Sequence, residues 1–235
     1  MNAGAGLGAA RPSGIGEILV SSRSFAEYRS MFRLTDSDLR QRILDCPGGA
    51  SGFTAGAVAA GAAARACDPL YGIPAEELSG VIAANRRRAQ AYIRAHPDEY
   101  EWKFFADPDD YEREREESAQ AFVTDYRARS QRYVAAALPR LPFPDDSFDL
   151  VLCSHLLFAY ADRFELGFHL DAIRELMRVC SGEVRIFPLF SMGARPQLDL
   201  EPLVTALAAE GFRTDRVEVD YRFQRGEPFI LVCKH

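Results

Sequence analysis

The stretch Ile43-Leu44-Asp45-Cys46-Pro47-Gly48-Gly49-Ala50-Ser51-Gly52-Phe53-Thr54 constrains this chain more than any other. A short apolar run ends in an acid, a glycine-rich turn follows, and an alanine-rich segment then reads as helix. The pattern is a strand, a tight loop and a helix N-terminus. No bulky side chain keeps a ligand away from the loop's N–H groups, and Gly48, Gly49 and Gly52 adopt positive φ at little cost. Several classes of nucleotide-like cofactor site begin this way, so the rest of the chain must decide among them.

Downstream, the segment from Ala55 to Ala64 reads as a small-sided helix that Gly61 ends or brings close to its neighbour. A weak second strand over Ala64-Arg65-Ala66-Cys67-Asp68 places Asp68 23 residues after Asp45. In a βαβ unit that distance brings the end of the second strand beside the glycine turn. A carboxylate there matches the two hydroxyl donors of a ribose. Beside Pro69, the same aspartate also suits a turn or cap. Upstream, Phe25, Tyr28, Met31 and Phe32 recur at helical spacing after Ser24. They pack on the sheet, or Tyr28 or Phe32 closes the cofactor pocket. Thr35-Asp36-Ser37-Asp38 offers caps for a second short helix ending near Arg42. Residues 1–15 are Gly/Ala-rich and aperiodic, and are expected to be a flexible tail. Gly4, Gly6 and Gly8 imitate a glycine fingerprint there, but no strand precedes them.

Residues 72–132 break the alternation of strand and helix. Leu78, Ile82, Ala89, Tyr92 and Ile93 fall at helical spacing, Pro97 and Pro108 punctuate, and about Glu112–Arg129 reads as a further helix. A simple crossover needs fewer residues. The expectation is a helical insertion, long enough to cap the pocket mouth, within a single domain of residues 16–235. Arg86-Arg87-Arg88 and the acidic Asp107–Glu117 region read as solvated faces. Trp102, Phe104 and Phe105 either anchor the insertion or line a substrate site. Strands then recur over Arg132–Ala137, Asp149–His155 and Glu183–Phe187. A helix carrying His169, Ile173, Leu176 and Met177 lies between the last two. A helix over Asp199–Ala209 stops at Gly211, and Arg216–Phe223 and Pro228–Cys233 flank the hairpin signal Gln224-Arg225-Gly226-Glu227. The class is α/β: a Rossmann-like, doubly wound, mostly parallel sheet with an antiparallel C-terminal strand.

Bulk properties narrow the function. A net charge of −6 and a pI near 5.3 argue against duplex nucleic acid as a partner. The five cysteines have no CxxC spacing, and four sit in or beside apolar runs, so neither zinc nor a disulfide framework is expected. The chain shows no apolar run of signal-peptide or membrane-span type, which points to the cytoplasm.

The run Leu141-Pro142-Phe143-Pro144-Asp145-Asp146-Ser147-Phe148-Asp149-Leu150-Val151 closely resembles the approach to strand four of class I S-adenosylmethionine-dependent methyltransferases. Ala172-Ile173-Arg174-Glu175-Leu176-Met177-Arg178-Val179 resembles the helix that follows in that family. The similarity spans about residues 40–70 and 133–235, outside the insertion. It implies a seven-stranded sheet and S-adenosyl-L-methionine as cofactor. By position, it implies that Asp45 opens the glycine motif and that Gly48, Gly49 and Gly52 lie beside the methionine portion. Asp68 would take the ribose, Leu138 and Pro139 would pass the adenine, and Ser154 and His155 would face the substrate edge. Two departures stand out. Pro47 and Ser51 replace motif glycines, and Ala136 and Ala137 stand where an acid often meets the adenine amino group.

Methyl transfer from a sulfonium needs alignment, water exclusion and sometimes removal of a proton. His155 is the candidate base, since an imidazole accepts a proton near neutral pH. A hydrogen-bonded strand-end histidine is the plainer alternative. Tyr160 or an insertion residue is an alternative for positioning the acceptor, and His169 belongs to the helix surface or core. No nucleophile elbow is visible, which argues against a hydrolase. Two rivals remain. A nicotinamide-dependent oxidoreductase fits Gly49 and Gly52 but not Pro47, and a catalytically silent S-adenosylmethionine-binding module fits throughout. The acidic balance favours a small-molecule acceptor.

Overall fold

The glycine turn owes its position to the order of seven strands in one sheet. The computed structural model describes residues 18–192 and 198–235, so the expected tail over 1–15 lies outside the described residues. After α1 (Phe25–Met31) come β1 (Arg42–Asp45), α2 (Phe53–Ala59) and β2 (Ala63–Cys67). Two long helices follow, α3 (Ala75–Ala95) and α4 (Pro108–Ala128), then β3 (Tyr133–Val134), β4 (Phe148–Ser154) and α5 (Leu166–Arg178). The chain closes with β5 (Cys180–Phe187), α6 (Leu200–Ala209), β6 (Arg213–Glu218) and β7 (Phe229–Lys234). The strands lie in the order β3-β2-β1-β4-β5-β7-β6, with only β7 antiparallel to its neighbours. This is the doubly wound sheet expected from the sequence. Its order reverses between β1 and β4, where such sheets open a crevice at their carboxyl ends.

Strand alternation builds a core on each face. Ile43, Leu150, Leu152, Ile230 and Val232 point to one side, where they meet Phe53 and Ala57 of α2 and Tyr28 and Met31 of α1. Leu44, Val151, Cys153, Leu231 and Cys233 point to the other, against Ile173, Leu176 and Met177 of α5 and Leu203 and Leu207 of α6. Both faces are covered, which is why β4 reads as an unbroken apolar run rather than an alternating one.

The 72–132 stretch is helical, as its spacing requires, and it does two things. β2 and β3 are parallel neighbours, so a crossover between them is obligatory. Ala119, Phe122, Val123 and Tyr126 of α4 supply it by packing on Ala66 and Tyr133, while α3 adds Leu78 and Ile82 to the same cluster. The aromatics between the two helices are anchors. Phe105 is 1% exposed and meets Tyr111 and Phe223 edge-on at 5.2 and 4.9 Å, and Trp102 meets Phe223 at 5.5 Å.

Phe223 corrects a detail of the expected hairpin. β6 and β7 pair as foreseen, but they are joined by residues 219–228 rather than by a four-residue turn. Tyr221 and Phe223 leave the sheet in that loop and dock on the insertion. The loop's backbone follows them, with Glu101 N–H donating to Phe223 O at 2.6 Å and Arg225 N–H to Glu99 O at 2.8 Å.

A buried ion pair ties these pieces together. Ser24 and Glu27 form a reciprocal capping box at the start of α1. The same Glu27 carboxylate receives both Nη groups of Arg115 from α4 and the Tyr221 hydroxyl from the β6–β7 loop. Neither Glu27 nor Arg115 is more than 2% exposed. Burial pushes the Glu27 carboxyl up, but the charge and hydrogen bonds of Arg115, helped by Arg23 and the Ser24 N–H, hold it below the usual carboxylate range. The Arg115 guanidinium also lies over the Tyr111 ring, 4.7 Å from its centroid.

Replacing one member leaves the other charge buried alone, so Arg115→Met should cost about 3–5 kcal/mol in denaturant unfolding. Arg115→Met with Glu27→Leu should recover much of that loss. The depressed Glu27 value also fixes a pH dependence. Its contribution is complete above the ordinary glutamate value of about 4.3 and is lost as pH falls through the lower folded value. An acid-unfolding series comparing wild type with the double variant measures it.

Candidate functional site

A cavity of about 400 Å³ opens at the carboxyl ends of β1, β2 and β4, within the range of small-molecule sites. Its floor is Cys46, Pro47, Gly48 and Gly49; one wall is Asp68, Pro69 and Leu70; another is Ala136, Ala137 and Leu138. Ser154 at the end of β4 closes it with His155 and Leu156 just beyond, and Phe164 and Phe168, stacked at 4.4 Å, stand at the start of α5. Of the residues expected to bind a cofactor, Gly48, Gly49, Asp68, Leu138 and Ser154 are therefore brought together here, with His155. Pro139 and Gly52 are not among the lining residues.

The glycine loop contributes shape rather than donors, contrary to its expected role. Gly48 N–H donates to Cys67 O, Gly49 N–H to Asp68 Oδ2, Ala50 N–H to Ser21 O, and Ser51 N–H to Gly48 O. Gly52 N–H goes to Arg23 O and Ser118 Oγ, both at 3.0 Å, and Phe53 N–H goes to Ser51 Oγ. Gly52 thus faces α4 and the N-terminal segment, not the cavity; a Cβ there would stand 2.7 Å from Ser118 Oγ. Gly48 is required for closeness, since a Cβ would run into the Tyr71 hydroxyl and Ala66 Cβ. Gly49 is required for conformation, at φ +53°.

The acids differ in exposure to the cavity. Asp68 Oδ2 accepts from Gly49 N–H and Oδ1 from Leu70 N–H, both at 2.9 Å. Asp68 is thus a cap, as its neighbour Pro69 suggested, and a cavity wall at once. Burial raises its carboxyl above the ordinary range and the two N–H bonds oppose this. Each carboxylate oxygen keeps a second acceptor position. Asp45 lies beneath the loop, 1% exposed, and accepts from the Tyr28 hydroxyl at 3.0 Å. Among the described residues its Oδ2 has no hydrogen-bond partner. Burial, opposed by Tyr28 and reinforced by Asp68, pushes Asp45 well above the ordinary carboxylate range. Tyr28 serves both roles considered for it: it packs on Phe53 at 4.5 Å and lines the cavity, whereas Phe32 belongs to the core alone.

His155 ends β4 at φ +51°, a left-handed conformation that costs a non-glycine residue strain and marks functional sites. Arg23 Nε donates to His155 Nδ1 at 3.0 Å, and Ser154 Oγ lies 2.9 Å from the same nitrogen. A guanidinium only donates, so Nδ1 is the acceptor and the ring's proton sits on Nε2. Burial, then the charges of Arg23 and Arg115, hold the imidazole well below its usual value, against a hydrogen bond with Gln224. In this geometry Arg23 occupies the lone pair that the neutral ring would use as a base. His169 is a core residue, its two nitrogens bonded to Glu165 O and Leu157 O. The Tyr160 hydroxyl accepts from Leu19 N–H at 2.9 Å and so holds the N-terminal segment.

That segment went unread in the sequence. Residues 18–21 form the remaining wall of the cavity, in the place assigned to the insertion, whose residues do not line it. Their composition carries no signal; only the aromatic pair Phe164 and Phe168, one helical turn apart, was a legible clue to the missed lining. Among the described residues, no helix is long and apolar enough to cross a membrane and no group of three ligating side chains could hold a metal. The five cysteines are free and buried.

Gly48→Ala should lower stability by about 1–3 kcal/mol, the range of overpacking, with partial rescue by Tyr71→Phe. Thermal or denaturant melts of the two single variants and the double variant check this.

A family model described as "Methyltransferase domain" matches residues 107–187, from the cap of α4 through β5. The match begins inside the stretch expected to be an insertion, in keeping with α4 as the obligatory crossover. An uncharacterized protein of Methanocaldococcus jannaschii is 27% identical over 219 residues, 93% of this chain and 96% of its own. Among solved structures, a SAM-dependent methyltransferase from Aquifex aeolicus aligns with a TM-score of 0.42 at 14% identity, over 88% of this chain and 90% of that one. Burkholderia thailandensis 1,6-didemethyltoxoflavin-N1-methyltransferase aligns with a TM-score of 0.46 at 14% identity, over 89% and 78%. The match to the methyltransferase domain thus covers residues 107–187 of a chain whose doubly wound sheet carries a cavity of small-molecule size at its switch point.

Proposed function

We propose that this chain transfers a methyl group from S-adenosylmethionine to a small-molecule acceptor. The observation that carries the reading is Asp68, which borders the cavity beside glycines that admit a ligand to the backbone. Its free acceptor positions suit the two ribose hydroxyls. Leu138, Pro69 and Leu70 offer apolar surface to an adenine, in keeping with alanines at 136 and 137 where a polar partner was absent from the sequence. Bound S-adenosylmethionine supplies an activated methyl group. What the protein supplies is alignment and dryness.

The cavity walls would hold the cofactor and exclude water. His155 is read as a neutral positioning group that donates through Nε2–H, braced by Arg23. Acceptors whose nucleophilic atom is already unprotonated at neutral pH suit such a site best. Asp45 lies under Gly48 with one oxygen unpartnered among the described residues, and a cation in the cavity would favour its ionised form.

Calorimetric titration with S-adenosylmethionine, S-adenosylhomocysteine and NAD should show binding of the first two only; tight NAD binding without the others would sink the reading. Asp68→Ala should weaken S-adenosylmethionine tenfold or more while the chain stays folded. Because the raised Asp45 value gives way to a cation, affinity for S-adenosylmethionine should increase with pH above the ordinary carboxylate range. Asp45→Asn should remove that slope. The His155 ring, followed by NMR, should remain in the Nε2–H form without titrating between pH 6 and 8; a midpoint near 6.5 would restore the base.

A further inference from the structure

A small cavity of about 40 Å³ lies behind the N-terminal segment, and its place in the molecule is unusual. It shares Leu19, Val20 and Ser21 with the cofactor cavity. On its other side it shares Tyr100, Met192 and Gln224 with an open cleft of about 340 Å³ beyond the end of β5. It therefore stands between the two larger spaces, and its volume holds one small polar group.

Its wall is rich in guanidinium groups, with Glu112 the one carboxylate that lines it. Arg23, Arg86 and Arg115 all line it. Arg86 is neutralised by Glu112 and Glu116. Arg115 takes both oxygens of Glu27, whose Oε1 also accepts from Tyr221. That leaves Arg23, 7% exposed, with Nη1 no nearer than 3.9 Å to Glu27 and, among the described residues, no hydrogen-bond partner at Nη2. Two buried guanidiniums thus share one carboxylate. An arginine keeps its proton, so the unused N–H donors of Arg23 suit an external anion. Arg115 Nε is also buried without a partner among the described residues, a second N–H at the same cavity.

We propose that this cavity is a carboxylate site with Arg23 as its principal ligand, and that it receives the anionic end of the methyl acceptor entering by the cleft beyond β5. The proposal rests on the methyltransferase reading for the word acceptor, but not for the carboxylate. Arg23 is bonded directly to His155, a wall of the cofactor cavity, so an anion held there is anchored one side chain away from the transferred methyl. The acceptor's carboxylate and that of the cofactor's own methionine share this chemistry. Arg23 lines the small cavity and not the cofactor cavity, which favours the acceptor.

The test uses acetate and acetamide as probes at constant ionic strength, with thermal shift as readout. Acetate should raise the melting temperature and acetamide should not. Arg23→Gln should abolish the acetate response, and Arg23→Lys should keep part of it. Equal responses to the two probes, or an acetate response that survives Arg23→Gln, overturn the site. In a second arm, calorimetry compares S-adenosylhomocysteine with 5′-methylthioadenosine, which lacks the amino-acid end. Unchanged affinities for both in Arg23→Gln support an acceptor site; a tenfold loss confined to S-adenosylhomocysteine assigns Arg23 to the cofactor and overturns it. Should Arg23→Gln not fold, wild-type crystals soaked in bromide decide: an anomalous peak within hydrogen-bond reach of Arg23 Nη supports the site, and its absence overturns it. The acetate arm stands even if neither adenosyl compound binds, so failure of the site and failure of the methyltransferase reading are separable.

Discussion

The ion pair between Glu27 and Arg115 is the constraint on which the functional end of this molecule depends. One carboxylate caps α1, receives α4 and receives the β6–β7 loop, so three elements remote in sequence are fixed at a single point. Ser22 is drawn into the same knot, its Oγ donating to Arg115 O and its own carbonyl accepting from Arg115 Nη1. The N-terminal segment is thereby laid across the glycine loop, where Ser21 and Arg23 take loop N–H groups. A buried pair is weak evidence for net stability, because desolvation offsets the attraction. Its value here is geometric: it sets where the segment runs, and the segment forms a wall of the cofactor cavity.

The consequences reach His155. Arg23 is positioned by its place in the segment and its guanidinium fixes the tautomer of the imidazole, while burial, then the charges of Arg23 and Arg115, hold that ring well below its usual pKa. The backbone just past β4 is left-handed at His155, a residue that lines the cavity. On the methyl-transfer reading proposed above, such a site works by arrangement more than by proton transfer. The glycine loop fits the same logic, since its N–H groups are all spent on the protein itself and it arrives at the ligand already ordered.

Much of the fold was legible because its signals are local. The unbroken apolar run of β4 reports burial on both faces, the small side chains from Ala55 onward report a helix held close to the sheet, and the spacing of Asp45 and Asp68 reports a βαβ unit. The spacing of Phe25, Tyr28, Met31 and Phe32 reports α1. What stayed hidden depends on partners far along the chain. Residues 18–23 carry no period and no motif, and they acquire meaning only from Tyr160, Asn85 and Arg115. Tyr221 and Phe223 alternate like strand residues, yet the aromatic cluster around Phe105 pulls them out of the sheet. His155 announced itself as an ionisable group at a strand end, but the direction of its proton is set by an arginine 132 residues away.

Ser21 is one of three residues that stand between two chambers of the molecule. Its carbonyl holds Ala50 N–H of the glycine loop, and the residue borders both the cofactor cavity and the small arginine-lined one. A partition only one peptide thick is a poor insulator. Whatever occupies one chamber restrains the segment that forms the wall of the other, so the two ligands share one entropic cost of ordering and the first to arrive lowers it for the second. The architecture therefore couples the two chambers in both directions, through a stretch of chain with no motif of its own.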